Sequence, residues 1–161
     1  MKNIFGKTIL KLAEQDPKIV LLLCDVTYPG SEGFKDRFPA RLYNFGLTEQ
    51  ATTGIAAGMA SQGLRPIFYT IAPFVLERCF EFIKVDVDYC NLPVMLVGYD
   101  YENYYGETHS CLDAKKMVGL FKNVVGYFPE TEKQAEDAII EAHKSNKPSF
   151  ILLNKIKNDP K

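Results

Sequence analysis

Apolar and polar positions alternate between two rhythms along this chain. Residues 2 to 15 set Ile4, Ile9, Leu10, Leu12 and Ala13 at near-helical spacing. Asp16-Pro17 ends the run, because a residue before proline avoids the helical region. Lys18 to Asp25 then contains Ile19-Val20-Leu21-Leu22-Leu23, a continuous apolar stretch that ends in an acid. That is how a strand covered on both faces reads, with its carboxyl end opening toward a site. The rhythm repeats. Tyr43 to Phe45 reads as a short strand, Thr48 to Gln62 as a helix rich in Ala and Gly that Gly63 closes, and Pro66 to Thr70 as a strand. Pro73 opens a helix through about Asp88, since the first helical turn tolerates proline. Pro93 to Tyr99 is a strand, Asp113 to Phe121 a short helix and Val124 to Phe128 a strand. Thr131 to Lys144 is a helix, Ser149 to Asn154 the last strand, and residues 155–161 a polar tail. Strands and helices alternating at these lengths predict an α/β fold, a mainly parallel sheet with helices on both faces.

Composition narrows the class. The 161 residues, 47% apolar and 24% charged, fit one domain with a single core. A net charge of -1 provides no basic field for nucleic acid or an anionic membrane. No apolar run approaches the roughly twenty residues that cross a bilayer, and no signal segment opens the chain, so a cytoplasmic protein is expected. Cys24, Cys79, Cys90 and Cys111 form no C-x-x-C pair and read as buried small hydrophobes.

In a parallel sheet of this kind ligands lie beyond the carboxyl ends of the strands. The candidates are therefore Asp25 and Thr27, Asn44 to Gln50, Thr70 to Phe74, and the loop from Tyr99 to Cys111. They contain neither a hydrolase nucleophile with its base nor a metal-ligand cluster, since the histidines are only His109 and His143. Gly54, Gly58 and Gly63 fall within or after a helix and form no phosphate loop; they are expected to let a neighbouring backbone approach.

Three blocks carry a resemblance. Arg41-Leu42-Tyr43-Asn44-Phe45-Gly46-Leu47-Thr48-Glu49-Gln50, followed by Gly54-Ile55-Ala56-Ala57-Gly58-Met59-Ala60 and Gly63, resembles "R-x-x-N-x-G-I-x-E-Q … A-A-G-x-A-x-x-G" of transketolase pyrimidine-binding domains. Thr70-Ile71-Ala72-Pro73-Phe74 with Arg78-Cys79-Phe80-Glu81-Phe82-Ile83-Lys84 is similar to "T-F-x-x-F … R-x-x-E-Q-I-R". Gly106-Glu107-Thr108-His109 is similar to the "D-G-x-T-H" loop. The blocks keep their order over roughly residues 18 to 125 and coincide with the strand ends.

The resemblance implies thiamine diphosphate as cofactor and gives each residue a task. Glu49 would hydrogen-bond N1′ of the aminopyrimidine, favouring the imino tautomer that generates the thiazolium ylid. On position alone Glu49 would be a carboxylate complementing a helix dipole. Phe74 would stack on the pyrimidine, Ile71 takes the place of a second aromatic, and Val26 would pack on the cofactor. His109 would contact the donor carbonyl, with Asp25, Thr27 and Tyr105 nearby on the substrate side. Arg78 and Glu81, three apart on one helix face, read as a structural ion pair.

No Gly-Asp-Gly occurs in the sequence, and in this family that motif helps bind the Mg²⁺ and the diphosphate. The resemblance thus implies a separate diphosphate-binding subunit, two of each chain forming a heterotetramer, with partner chains covering the apolar rows of the Thr48 and Pro73 helices. Departures concern the substrate. Tyr105 replaces an acid, Glu107 a small residue, and Phe128 the arginine that grips a sugar phosphate, and the loop from Tyr99 to Tyr105 is shorter. A phosphate dianion loses charge-assisted partners in such a site. Tyr99, Tyr101, Tyr104 and Tyr105 could meet an uncharged acceptor or pack at an interface. The expected activity is transfer of a short carbon unit from a ketose or 2-oxoacid to an aldehyde or ketone. The alternatives are a split 2-oxoacid decarboxylase or dehydrogenase component and a non-catalytic partner of the same fold.

Overall fold

The computed structural model describes residues 1–26, 31–101 and 104–154. The elements are α1 (Lys2–Gln15), β1 (Ile19–Leu23), α2 (Ser31–Arg37), β2 (Leu42–Asn44), α3 (Glu49–Ser61), β3 (Arg65–Ile71) and α4 (Ala72–Leu76). There follow α5 (Phe80–Phe82), which runs into a π-helical stretch Ile83–Tyr89, then β4 (Met95–Asp100), α6 (Ala114–Val118), β5 (Val125–Tyr127), α7 (Glu132–Ser145) and β6 (Ser149–Asn154). The six strands pair in the order β2-β1-β3-β4-β6-β5, every pairing parallel.

Parallel strands covered on both faces divide their side chains between two cores. In β1, Ile19, Leu21 and Leu23 join Phe5, Ile9 and Ala13 of α1 with Ala135 and Ile139 of α7 on one face. Val20 and Leu22 join Ala56 and Ala60 of α3, Val75 and Leu76 of α4, and Val118 of α6 on the other. The expected single core is thus two layers separated by the sheet.

On the α1 face two arginines satisfy helix carboxyl ends, where the last carbonyls lack intrahelical partners. Arg41 donates to the carbonyls of Ala13 and Asp16 at 3.0 and 3.1 Å, with its guanidinium 3.7 Å from the Phe38 ring centre. The motif arginine is therefore structural. Arg65 donates to the His143 carbonyl and, at 2.6 Å, to Asn146 Oδ1.

Two readings change. The helix expected from Pro73 through Asp88 is interrupted after Leu76. The Pro73 carbonyl accepts from both Glu77 N and Arg78 N at 3.0 Å, and the Cys79 thiol reaches the Phe74 carbonyl at 3.2 Å, so side-chain bonding competes with a regular ladder. Nor are all four thiols buried: Cys24 and Cys79 are, Cys90 is exposed and Cys111 half-buried. Helix α2, whose Phe34 enters the α1-side core, is an addition to the elements expected. The tail from residue 155 lies outside the described residues. Among the described residues no helix is long and apolar enough to cross a membrane.

Gly98 is a true close approach. A Cβ there would stand 2.8 Å from Ala72 Cα and 3.3 Å from Phe150. Gly98→Ala should destabilise the chain by about 1–3 kcal/mol through overpacking and displace α4, seen as a lower urea midpoint.

His143 provides a second check. Its Nε2 is 3.4 Å from Asp16 Oδ2, which favours the imidazolium, but burial and then the Arg65 charge outweigh it and lower its pKa. The unfolded chain therefore takes up the proton first as pH falls through about 6.5. This stabilising contribution is complete above that value and is lost as pH falls through the folded-state pKa. Unfolding free energies measured from pH 7.5 to 5 should decline in the wild type and decline less in His143→Gln.

Candidate active site

The carboxyl ends of β1, β2, β3 and β4 lie side by side, with Leu23 opposite Asn44 and Tyr69, and Ile71 opposite Tyr99. Asn44 organises one end of this edge. Its Oδ1 accepts from Asp25 N at 2.9 Å and Gly46 N at 3.1 Å, holding Asp25 at φ 54 and Gly46 at φ 67. Asp tolerates that left-handed region better than most side chains, and Gly enters it freely. The chain then passes from β2 into α3 with Glu49 as the first helical residue.

The Glu49 carboxylate is 1% exposed. Its Oε2 accepts from Arg78 Nη1 at 2.8 Å, while Oε1 is buried with no hydrogen-bond partner. Arg78 was expected to pair with Glu81; the helix break turns it to Glu49 instead. Gln50 Nε2 donates to the Arg78 carbonyl at 3.2 Å, so the first turn of α3 grips Arg78 twice. The Arg78 guanidinium also lies over the Phe74 ring, 4.1 Å from its centre.

Phe74 continues the chain of contacts. The His109 ring meets it edge to face at 5.0 Å, and the Tyr105 ring lies 5.4 Å from His109. Beyond Tyr105 come Tyr104 at 4.8 Å, Tyr101 at 5.1 Å and then Tyr99. Lys2 Nζ donates to Tyr101 OH at 2.6 Å and sits 4.1 Å from the Tyr99 ring centre. The tyrosines thus run from α1 to the histidine as one ladder.

Glu49, Phe74, His109 and Tyr105 are brought together in this way. Ile71 is buried at the end of β3, where it caps α4. Val26 is half-buried against the α1-side core, and Asp25 is exposed and bonded to Asn44. Thr27 lies outside the described residues. Phe128 folds back on its own strand: a Cβ on Gly126 would stand 2.8 Å from its ring, and Phe150 lies 6.4 Å away. Of the helix glycines, Gly54 is approached by the Asp86 carboxylate and Gly58 faces open space within this chain.

The thiols near Glu49, Cys24 and Cys79, are both buried. Burial pushes Cys79 up to about 11, with the Glu49 charge adding, and also raises Cys24, which lies 3.2 Å from Thr52 Oγ1. Among the described residues no His, Cys, Asp and Glu cluster could hold a metal ion.

A buried carboxylate oxygen without a partner is costly unless a donor meets it. Glu49 Oε1 therefore fits a ring nitrogen that carries or accepts a proton, with Phe74 as an aromatic neighbour. An edge of this kind places the protein among parallel α/β domains that receive a cofactor beyond their strand ends. The chain belongs to the transketolase pyrimidine-binding domain family, whose family model matches residues 1–160.

Comparison with known proteins agrees. The chain is 32% identical over 155 residues to the 1-deoxy-D-xylulose-5-phosphate synthase of Syntrophus aciditrophicus, covering 92% of this chain and 23% of that protein. It is 33% identical over 154 residues to the synthase of that name from Aquifex aeolicus, covering 91% and 24%. The chain spans about a quarter of the length of these relatives. Among solved structures it resembles a split-gene transketolase described as an inactive beta4 tetramer, with TM-score 0.85, 26% identity, and coverage of 98% of this chain and 52% of that one. A Pichia stipitis transketolase, at 18% identity and TM-score 0.77 over 95% of this chain and 25% of its own, shares the fold.

The Glu49 pair can be tested by stability alone. Arg78 is 43% exposed and Glu49 almost wholly buried, so removing the cation leaves the desolvated partner uncompensated. Arg78→Ala should cost about 2 kcal/mol at pH 7. Adding Glu49→Gln to that variant should recover part of the loss in urea unfolding, and two simply additive losses would contradict the pairing.

Proposed function

We propose that this chain is the pyrimidine-binding subunit of a split, transketolase-like thiamine diphosphate enzyme acting in the cytoplasm. It transfers a short carbon unit from a ketose or 2-oxoacid to an aldehyde or ketone acceptor. The observation that carries this reading is Glu49, with Oε2 held by Arg78 and Oε1 buried and unpartnered.

Thiamine diphosphate, when bound, supplies a nucleophilic carbon that adds to a carbonyl. Glu49 Oε1 would share a proton with N1′ of its pyrimidine, and Arg78 would keep the carboxyl group aimed by fixing the other oxygen. Phe74, Ile71 and Val26 would furnish apolar contact with the cofactor. His109 has Nδ1 2.9 Å from Thr108 Oγ1, which leaves Nε2 to meet the donor carbonyl. Asp25, Thr27 and Tyr105 would line the substrate side.

The diphosphate and Mg²⁺ would be held by a separate subunit, two copies of each chain forming the enzyme. The exposed Ile55 on α3, Leu47 before it, and Val85 and Tyr89 on the π-helical stretch are apolar surface suited to burial by partner chains. The names of the curated relatives specify a sugar-phosphate product, yet we favour an uncharged acceptor. At the end of β5 Phe128 packs on Gly126 instead of presenting a charge, and the loop beside His109 is tyrosine-rich.

Co-expression with the product of the adjacent gene, followed by calorimetry with thiamine diphosphate and Mg²⁺, is the direct test. The complex should bind the cofactor and the isolated chain should not. Glu49→Gln should lower turnover of the complex by about 100-fold or more, the scale of lost acid–base catalysis. Tight binding by the isolated chain would overturn the split site, and undiminished turnover of the variant would overturn the role of Glu49.

A further inference from the structure

The turn Glu77–Cys79, where α4 gives way to α5, carries a carboxylate that the reading above does not use. Glu77 follows Phe74 by three residues and adjoins Arg78. Its Oε1 accepts the backbone N–H of Leu112 at 2.5 Å, across 35 residues of sequence. Burial, and then the Glu77 charge, push the neighbouring Cys111 thiol up to about 12. A backbone donor from this irregular segment therefore meets the carboxylate, and hydrogen bonds to an ionised acceptor are the strong ones.

That segment begins two residues after His109. Upstream the loop is held largely by itself: His109 N bonds the Gly106 carbonyl at 3.0 Å, Ser110 N the Glu107 carbonyl at 3.2 Å, and Ser110 Oγ the Gly106 carbonyl at 3.0 Å. Such local bonds shape a loop without fixing where it stands on the body of the protein. Downstream, Leu112 is 69% exposed and adds little packing. Glu77 is a polar link between the segment after His109 and the turn that bears Arg78.

We propose that Glu77 is a positioning residue that anchors the His109 loop at residue 112, thereby setting the histidine ring against Phe74. The proposal rests on the reading of His109 as the substrate-facing histidine only for its catalytic consequence. The anchoring stands on the geometry alone. A misplacement of about 1 Å at a catalytic group can cost on the order of 100-fold in rate, so an anchor of this kind acts on turnover more than on cofactor affinity.

The test compares Glu77→Ala, which removes the acceptor, with Glu77→Gln, which keeps an amide oxygen able to accept from Leu112. Nuclear magnetic resonance of the full chain would follow hydrogen exchange at the Leu112 amide and the His109 ring-proton shifts produced by Phe74. Glu77→Ala should speed that exchange about tenfold, as local opening becomes easier, and move the His109 resonances, while Glu77→Gln restores both. In the reconstituted complex the alanine variant should lose about 10- to 100-fold in kcat with cofactor Kd within about twofold, and glutamine should recover most of it. Unchanged Leu112 exchange and His109 shifts in the alanine variant would overturn the anchor, as would a glutamine variant behaving like alanine. Should alanine fail to fold, Glu77→Asp, with its carboxylate drawn back by one methylene, must show the same displaced His109 signals or the anchor is wrong. If no partner restores turnover even to the wild type, the proposed function fails while the resonance measurements still decide the anchor.

Discussion

The ion pair between Glu49 and Arg78 is the constraint around which this edge of the protein is arranged. A carboxylate 1% exposed forfeits several kcal/mol of hydration and persists only with an opposite charge or donors to meet it. The start of α3 supplies a favourable dipole, and Arg78 supplies the cation to one oxygen. Nothing within the described chain meets the other. The same residue is thus overbuilt on one side and left open on the other, as a group kept for a ligand would be.

Satisfying that pair shapes the backbone around it. Had the Pro73 helix run unbroken, Arg78 and Glu81 would have shared one face and Arg78 would have been a surface cation. The turn at Glu77–Cys79 instead sends Arg78 toward α3, where Gln50 takes its carbonyl, and brings Glu77 to the segment after His109. Upstream, Gly98 permits Ala72 to sit directly on β4, which seats Phe74 close to the sheet. One close approach and one helix break therefore align three residues that are distant in function: a ring, a cation and an anchor.

Much of the architecture was legible in the sequence because it is encoded locally. Uninterrupted apolar strands announce burial on both faces, Asp16-Pro17 and Gly63 mark helix ends where expected, and the helix read from Thr131 has Thr131 as its cap. Glu49 and Phe74 are singled out as candidates by motif and strand-end position together. What escaped depends on long-range bonding. The helix break depends on a thiol bonding to a carbonyl and on Arg78 finding a partner 29 residues earlier. Arg41 belongs to the family signature yet serves carbonyls of α1, a role visible only once the helix end is in place. Asp88 reads as an ordinary acid near the end of a helix, but it is buried and takes N–H groups from Lys122, Asn123 and Val124 at 3.0, 2.6 and 2.9 Å, so it fixes the approach to β5. Periodicity carries no information about such partners.

On the proposed reading, the same contacts would keep acid and histidine in one frame while the diphosphate is held by another chain. Proton transfer tolerates little error in heavy-atom distance, so groups proposed to exchange protons with ring and substrate would gain most from a shared rigid frame. Here Glu49, Arg78, Phe74 and His109 follow one another in contact, with Glu77 bonded to the segment after His109. Binding a diphosphate depends more on charge and less on sub-ångström placement. The proposed division between subunits would separate the tolerant half of the site from the exacting half, whose described residues are braced by bonds within this chain.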